Sequence, residues 1–198
     1  MDGFDAWVTH LFDRPPPRDL DESAWDGRGD TPVAKAERIR HLFRDAGTIL
    51  RPYSDDQVGH GLAEIIDGDL HELTNRRVPV VLRTTGLRSI VPLFAQVFAP
   101  RIQVERPNHT PPLEHVCFMF FDIAPVDLGD DTVLDVLEQT LALPSVPCQR
   151  SALHGLGHAH MWSPETVRTV VDLWLKKHPN APEDLRAYAR SARAGDVM

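Results

Sequence analysis

The chain has 198 residues, of which 42% are hydrophobic and 25% charged, with a formal net charge of −8. That length suits one domain, or one domain with an N-terminal appendage, and can bury a sizeable core. The acidic balance argues against a nucleic-acid or membrane surface, and no apolar run approaches the roughly 18 residues that a membrane helix needs.

The N-terminus, Met1-Asp2-Gly3-Phe4-Asp5, lacks the basic start and apolar run of a signal peptide, so a cytoplasmic protein is expected. Phe4, Trp7, Val8, Leu11 and Phe12 recur at the spacing of an amphipathic helix. Pro15-Pro16-Pro17 stops it, and residues 18–31 read as a polar linker. The helix of residues 1–17 could dock on the body or serve a partner; docking is the usual fate of such a stripe. The body is then 32–198.

A helix is expected from about Pro32 to Leu50, ended by Pro52. Ser54-Asp55-Asp56-Gln57 has the form of a capping box for the next helix, which carries Val58, Leu62, Ile65 and Ile66 on one face. Val78 to Leu82 is too short for periodicity to decide, and helix is favoured because nothing else in the chain alternates like a sheet. Ile90, Leu93, Phe94, Val97 and Phe98 form a stripe that Pro100 closes, and residues 99–112 form an extended connection. From Leu73 to Ile102 there are five arginines and no acid, which reads as a solvated face or a partner surface. Leu113 to Ile123 is apolar on nearly all sides, Asp122 excepted, and should be buried. Gly129-Asp130-Asp131 should cap the helix bearing Val133, Val136, Leu137 and Leu141. Pro144 and Pro147 introduce the next helix, and Ser163-Pro164-Glu165 reads as a cap and first turn. Asn180 and Pro182 start the last helix, whose Leu185 and Tyr188 should pack inward, and the final residues should fray. Cys117 and Cys148, the only cysteines, lie near apolar neighbours and read as buried free thiols, with a disulfide or a metal role as the alternatives.

Thr132–Leu141 aligns with Thr166–Leu175 at an offset of 34 residues, and the preceding helices, from Pro112 and Pro147, align at 35. His60-Gly61-Leu62 recurs as His154-Gly155-Leu156. Fixed-period helix pairs are the signature of a stacked α-helical repeat. Ala152-Leu153-His154-Gly155-Leu156-Gly157, followed by Ser163-Pro164-Glu165-Thr166-Val167, resembles a unit of the HEAT and armadillo-like repeats, and the resemblance spans about residues 54–178. It implies an all-α fold, a right-handed stack of antiparallel helix pairs, and a binding or scaffold role. It carries over no catalytic residue.

The densest run of chemistry is Arg150 to His160, with three histidines. On a helical wheel His154 and His158 share the face opposite Ala152, Leu153 and Leu156. His60 and Glu64, and likewise His115 and Asp122, lie opposite their own apolar stripes. If the three helices stack side by side, then His60, Glu64, His115, Asp122, His154 and His158 line one face. Two histidines at i, i+4 bind a metal ion when a third ligand lies nearby, and Asp122 or Glu64 could supply it. The plainer reading is a hydrogen-bonded polar layer between repeats. Ser151 shares the face but has no nucleophile elbow around it. There is no phosphate loop or dinucleotide fingerprint, so no cofactor is expected beyond a divalent metal at His154, His158 and Asp122. The expected function is therefore a protein-interaction or scaffold module with a basic partner. The alternative is a metal-dependent or acid–base enzyme built on the histidine face.

Overall fold

The computed structural model describes residues 3–13, 30–103 and 111–197. The expected proline stop at 15–17, most of the 18–31 linker and residues 104–110 of the long connection lie outside them. All regular elements among the described residues are helical, so the chain is all-α.

Capping residues set the helix starts. Helix α1 spans Gly3–Phe12. Thr31 accepts a hydrogen bond from the Ala34 amide and precedes α2, Pro32–Arg44. Before α4, Asp55–Asp67, the Ser54 hydroxyl accepts from the Gln57 backbone amide at 3.3 Å, and the Gln57 side-chain oxygen Oε1 accepts from the Ser54 backbone amide at 2.9 Å. That is the expected capping box. Asp130 accepts from the Thr132 amide at 2.7 Å and opens α9, Asp131–Leu141. Prolines stand in the first turns of α8, Pro112–Ile123, of α10, Val146–Ala159, and of α11, Pro164–Lys177, where their missing amide costs nothing. Ser163 occupies the cap position of α11, but its side chain makes no capping bond, so Pro164 sets that start alone. The last helix, α12, is Glu183–Ala194.

Several expectations need correction. The helix from Pro32 does not run unbroken to Leu50. It breaks at Asp45, and α3 is the short turn Ala46–Ile49. Leu70–Leu73 is a 3-10 turn, and the helix favoured for Val78 to Leu82 is present but starts later, as α5, Val80–Arg88, with Pro79 at its cap position, where a proline is harmless. After α6, Ile90–Leu93, Pro100 does not close the helix. The chain passes through a π-helical turn at Phe94–Phe98, in which the Ala99 amide donates to the Phe94 carbonyl. It continues through α7, Ala99–Arg101. A widened turn beside a proline is how a helix absorbs a residue that cannot donate. Helix α8 buries one broad face rather than every side: Leu113, Val116, Cys117, Phe120 and Phe121 are buried, whereas His115, Asp122 and Ile123 are exposed.

Helix α8 packs on α4 on one side and on α10 on the other. Phe94, Phe98, Phe120 and Phe121 interlock in the core with ring centroids 4.8–6.4 Å apart, mostly edge to face. Cys117 and Cys148 form no disulfide and are buried in the same core. Helix α1 docks on α4 and contributes Trp7, Val8, Leu11 and Phe12 to the same core.

Helix α10 is the central element, in contact with α8, α9, α11 and α12. From Pro147 to Gly157 all of its residues except Arg150 are buried. Its glycines make this possible. A Cβ on Gly155 would lie 2.6 Å from Leu137 and 2.7 Å from Phe121, so α9 and α8 sit directly on its backbone. A Cβ on Gly157 would lie 2.5 Å from Val197. Gly195, at φ 76°, ends α12 in the left-handed conformation. The chain beyond it places Val197 half-buried over Gly157, so this part of the tail is packed rather than frayed.

Candidate metal centre

The site is assembled from three helices. Helix α10 supplies His154 and His158, one turn apart on the same side. Helix α8 lies against it and supplies Asp122 from its last turn. Helix α12 crosses α10 and supplies Tyr188. The two imidazoles meet through their Nε2 atoms at 3.2 Å, ring planes nearly perpendicular at 87°. Asp122 Oδ1 stands 3.3 Å from His158 Nε2. One ligand atom from each of Asp122, His154 and His158 lies within 4.8 Å of the others.

His154 is 1% exposed, so the face opposite the apolar stripe is covered at this residue. The wheel shows where a side chain points, but the helices around α10 decide what covers it. Phe118 covers one side of the His154 ring, with centroids 4.7 Å apart. The Tyr188 ring lies nearly parallel to it at 8°, and the Tyr188 hydroxyl is 2.6 Å from Nδ1. Burial holds His154 below the ordinary imidazole range; His158 acts in the same direction and Asp122 opposes them. His154 is therefore neutral near pH 7. Burial also raises Tyr188, with the Arg150 guanidinium opposing and Asp122 reinforcing, so its hydroxyl keeps its proton. Arg150 stands over the Tyr188 ring at 5.6 Å and bonds Asp184 at 2.6 Å, which fastens α10 to α12 beside the site.

One set of tautomers satisfies these contacts. His154 Nδ1–H donates to the Tyr188 oxygen, leaving the Nε2 lone pair turned towards His158. Without a metal, His158 Nε2–H serves His154 and Asp122 together. With the His158 proton on Nδ1 instead, two nitrogen lone pairs and a carboxylate oxygen converge. The two separations from His158 Nε2, 3.2 Å to His154 and 3.3 Å to Asp122, are close to the edge of a tetrahedron with bonds of roughly 2.0–2.1 Å, the zinc–nitrogen range. Asp122 and the outer part of His158, each about one-third exposed, face solvent, so a fourth position would be on that side.

Of the six residues expected on one face, the structure brings together three. His60 and Glu64 are half-buried on α4 and His115 is exposed on α8; none of them belongs to the converging group. The i, i+4 spacing indicated the histidine pair. Nothing in the sequence indicated Tyr188, which reads there only as an inward-packing residue 34 positions away. Ser151 is fully buried, and its hydroxyl has no hydrogen-bond partner among the described residues.

Comparison of the chain with known protein families, with curated proteins and with solved structures finds no match.

Proposed function

We propose that the protein is a metal-binding helical protein whose Asp122, His154 and His158 take one zinc-class divalent ion, with solvent in the remaining position. The convergence of three ligand atoms within 4.8 Å, with His158 Nε2 at tetrahedral spacing from both of the others, carries this reading. Three protein ligands with an open fourth position are the composition of catalytic zinc centres, whereas closed structural centres have four. Water bound there would be acidified towards neutral pH and available as a nucleophile or base. Tyr188 would act on the ion through His154, fixing its tautomer and ring orientation.

The test is metal analysis and zinc titration of chelator-treated protein. One equivalent bound at micromolar free zinc is expected, with loss of binding in Asp122→Asn and His158→Ala. No stoichiometric uptake, or uptake unchanged in both variants, would remove the proposal.

A second reading is a protein-interaction module. Met161 and Trp162 support it: they follow α10 directly and are 79% and 58% exposed, an uncommon exposure for two large apolar side chains in succession. A HEAT-like stack of helix pairs belongs to this reading and is supported by the α4–α8–α10 adjacency. A basic partner would suit the net charge of −8.

A further inference from the structure

The arginine-rich stretch of the sequence is only partly accounted for by ion pairs. Arg101 donates to the Leu50 and Tyr53 carbonyls and to Asp55, and Arg88 stands 3.6 Å from Asp135. Arg83 is different. Its Nε is shielded from solvent and has no hydrogen-bond partner among the described residues. Arg83 as a whole is only half-buried and forms no ion pair among the described residues, so its charge is not neutralised where the side chain borders open space.

Arg83 lines a cavity of about 270 Å³ between two walls. One wall is formed by the 3-10 turn and α5, and it carries Arg76 and Arg83. The other is formed by the α8–α9 loop and the start of α9, and it carries Asp127 and Asp130. The opposite charges do not pair across the gap. Asp127 and Asp130 instead use one oxygen each to fix their own loop, accepting from the Gly129 and Thr132 amides at 2.9 and 2.7 Å. Each retains a second oxygen. Leu73, Leu87 and Val133 supply an aliphatic part of the lining.

We propose that this cavity binds a small zwitterion, a free α-amino acid with an aliphatic side chain. Its carboxylate would meet Arg83, with Arg76 at the rim, because a guanidinium presents a fork that matches a carboxylate. Its ammonium would meet the free oxygens of Asp127 and Asp130. Its side chain would lie on Leu73, Leu87 and Val133. A simple anion would satisfy Arg83 but would face two carboxylates at close range, and a simple cation would have the reverse problem. A zwitterion satisfies both walls. The volume suits a small metabolite rather than a drug-sized ligand. The inference is independent of the metal centre.

Calorimetric titration of the full chain with L-leucine tests it, alongside isopentylamine, 4-methylpentanoate and inorganic phosphate. Leucine should bind one to one, and both truncated analogues at least about tenfold more weakly. Arg83→Met and Asp127→Asn should each weaken leucine by a similar factor. Arg76→Met, at an exposed position, should weaken it less and serves as the variant certain to leave the core intact. Three results would overturn the proposal: no heat with millimolar leucine, 4-methylpentanoate or phosphate binding as well as leucine, or unchanged leucine affinity in folded Arg83→Met.

Discussion

His154 loses nearly all contact with water on folding, and its partners decide what that costs. Replacing it by alanine leaves the Tyr188 hydroxyl and His158 without their buried partner, so His154→Ala should destabilise the metal-free protein by about 1–3 kcal/mol. His158 is one-third exposed, and water can replace what it loses, so His158→Ala should cost under about 1 kcal/mol. Urea melts in chelator measure both, and equal losses would show that the two imidazoles share one environment. The same residue sets a pH dependence. Its folded-state pKa is depressed by burial and by His158, against Asp122. Its neutral form thus contributes stability in full above the unfolded value near about 6.5, and that contribution is lost as pH falls towards the depressed value. In His154→Gln, which cannot titrate, the loss of stability between roughly pH 7.5 and 5.5 should shrink. An unchanged pH profile would place the acid sensitivity elsewhere.

Helix α10 shows what a sequence can and cannot tell about an element. Its limits were legible, because Pro147 and the i, i+4 histidines are local features. Its surroundings were not. A wheel counts Ser151, His154, Gly155 and Gly157 as a polar or neutral side, yet all four are buried, because α8, α9, α12 and the C-terminal tail arrive from distant parts of the chain. The same limit applies to the site. The histidine pair and Asp122 could be marked from spacing and from one acid in an apolar helix, whereas Tyr188 is brought in by packing alone. His60 carries the same His-Gly-Leu signature as His154 but has no place in the converging group, so local likeness did not transfer a local environment. The glycines allow a direct test of this packing. Alanine favours a helix over glycine by up to about 1 kcal/mol. At Gly155 the new Cβ would meet Phe121 Cβ at 2.7 Å, an atom fixed to its own backbone, so overpacking of about 1–3 kcal/mol should win. At Gly157 its nearest neighbours would be the methyls of Val197, at 2.5 and 2.6 Å, on a residue near the chain end that can move aside at small cost. Gly155→Ala should therefore lower the melting temperature, and Gly157→Ala should leave it nearly unchanged or raise it. The reverse order would contradict the placement of α8 on α10.

At the scale of the whole molecule, the first helix is a structural part of the body despite the proline run that follows it. Phe12 is fully buried and Trp7 is 2% exposed. Trp7 packs against Phe4 and lies beneath the Arg38 guanidinium at 5.3 Å; Phe4 in turn stacks on His41. A Cβ on Gly61 of α4 would lie 2.4 Å from the Phe12 ring, so the ring rests directly on the α4 backbone. Burial of one large apolar side chain is worth about 1.5–3 kcal/mol, and α1 buries four. Even discounted for residual structure in the unfolded chain, the sum is a large share of the roughly 5–15 kcal/mol by which such domains are stable. Deleting residues 1–17 should therefore cost several kcal/mol and abolish or sharply broaden the cooperative unfolding transition. Phe12→Ala, which keeps the helix, should cost about 3–5 kcal/mol by the same contact. Circular-dichroism melts of the two proteins decide the matter. A truncated chain that melts cooperatively at the full-length temperature would show that α1 adds no stability to the body and is free to serve a partner instead.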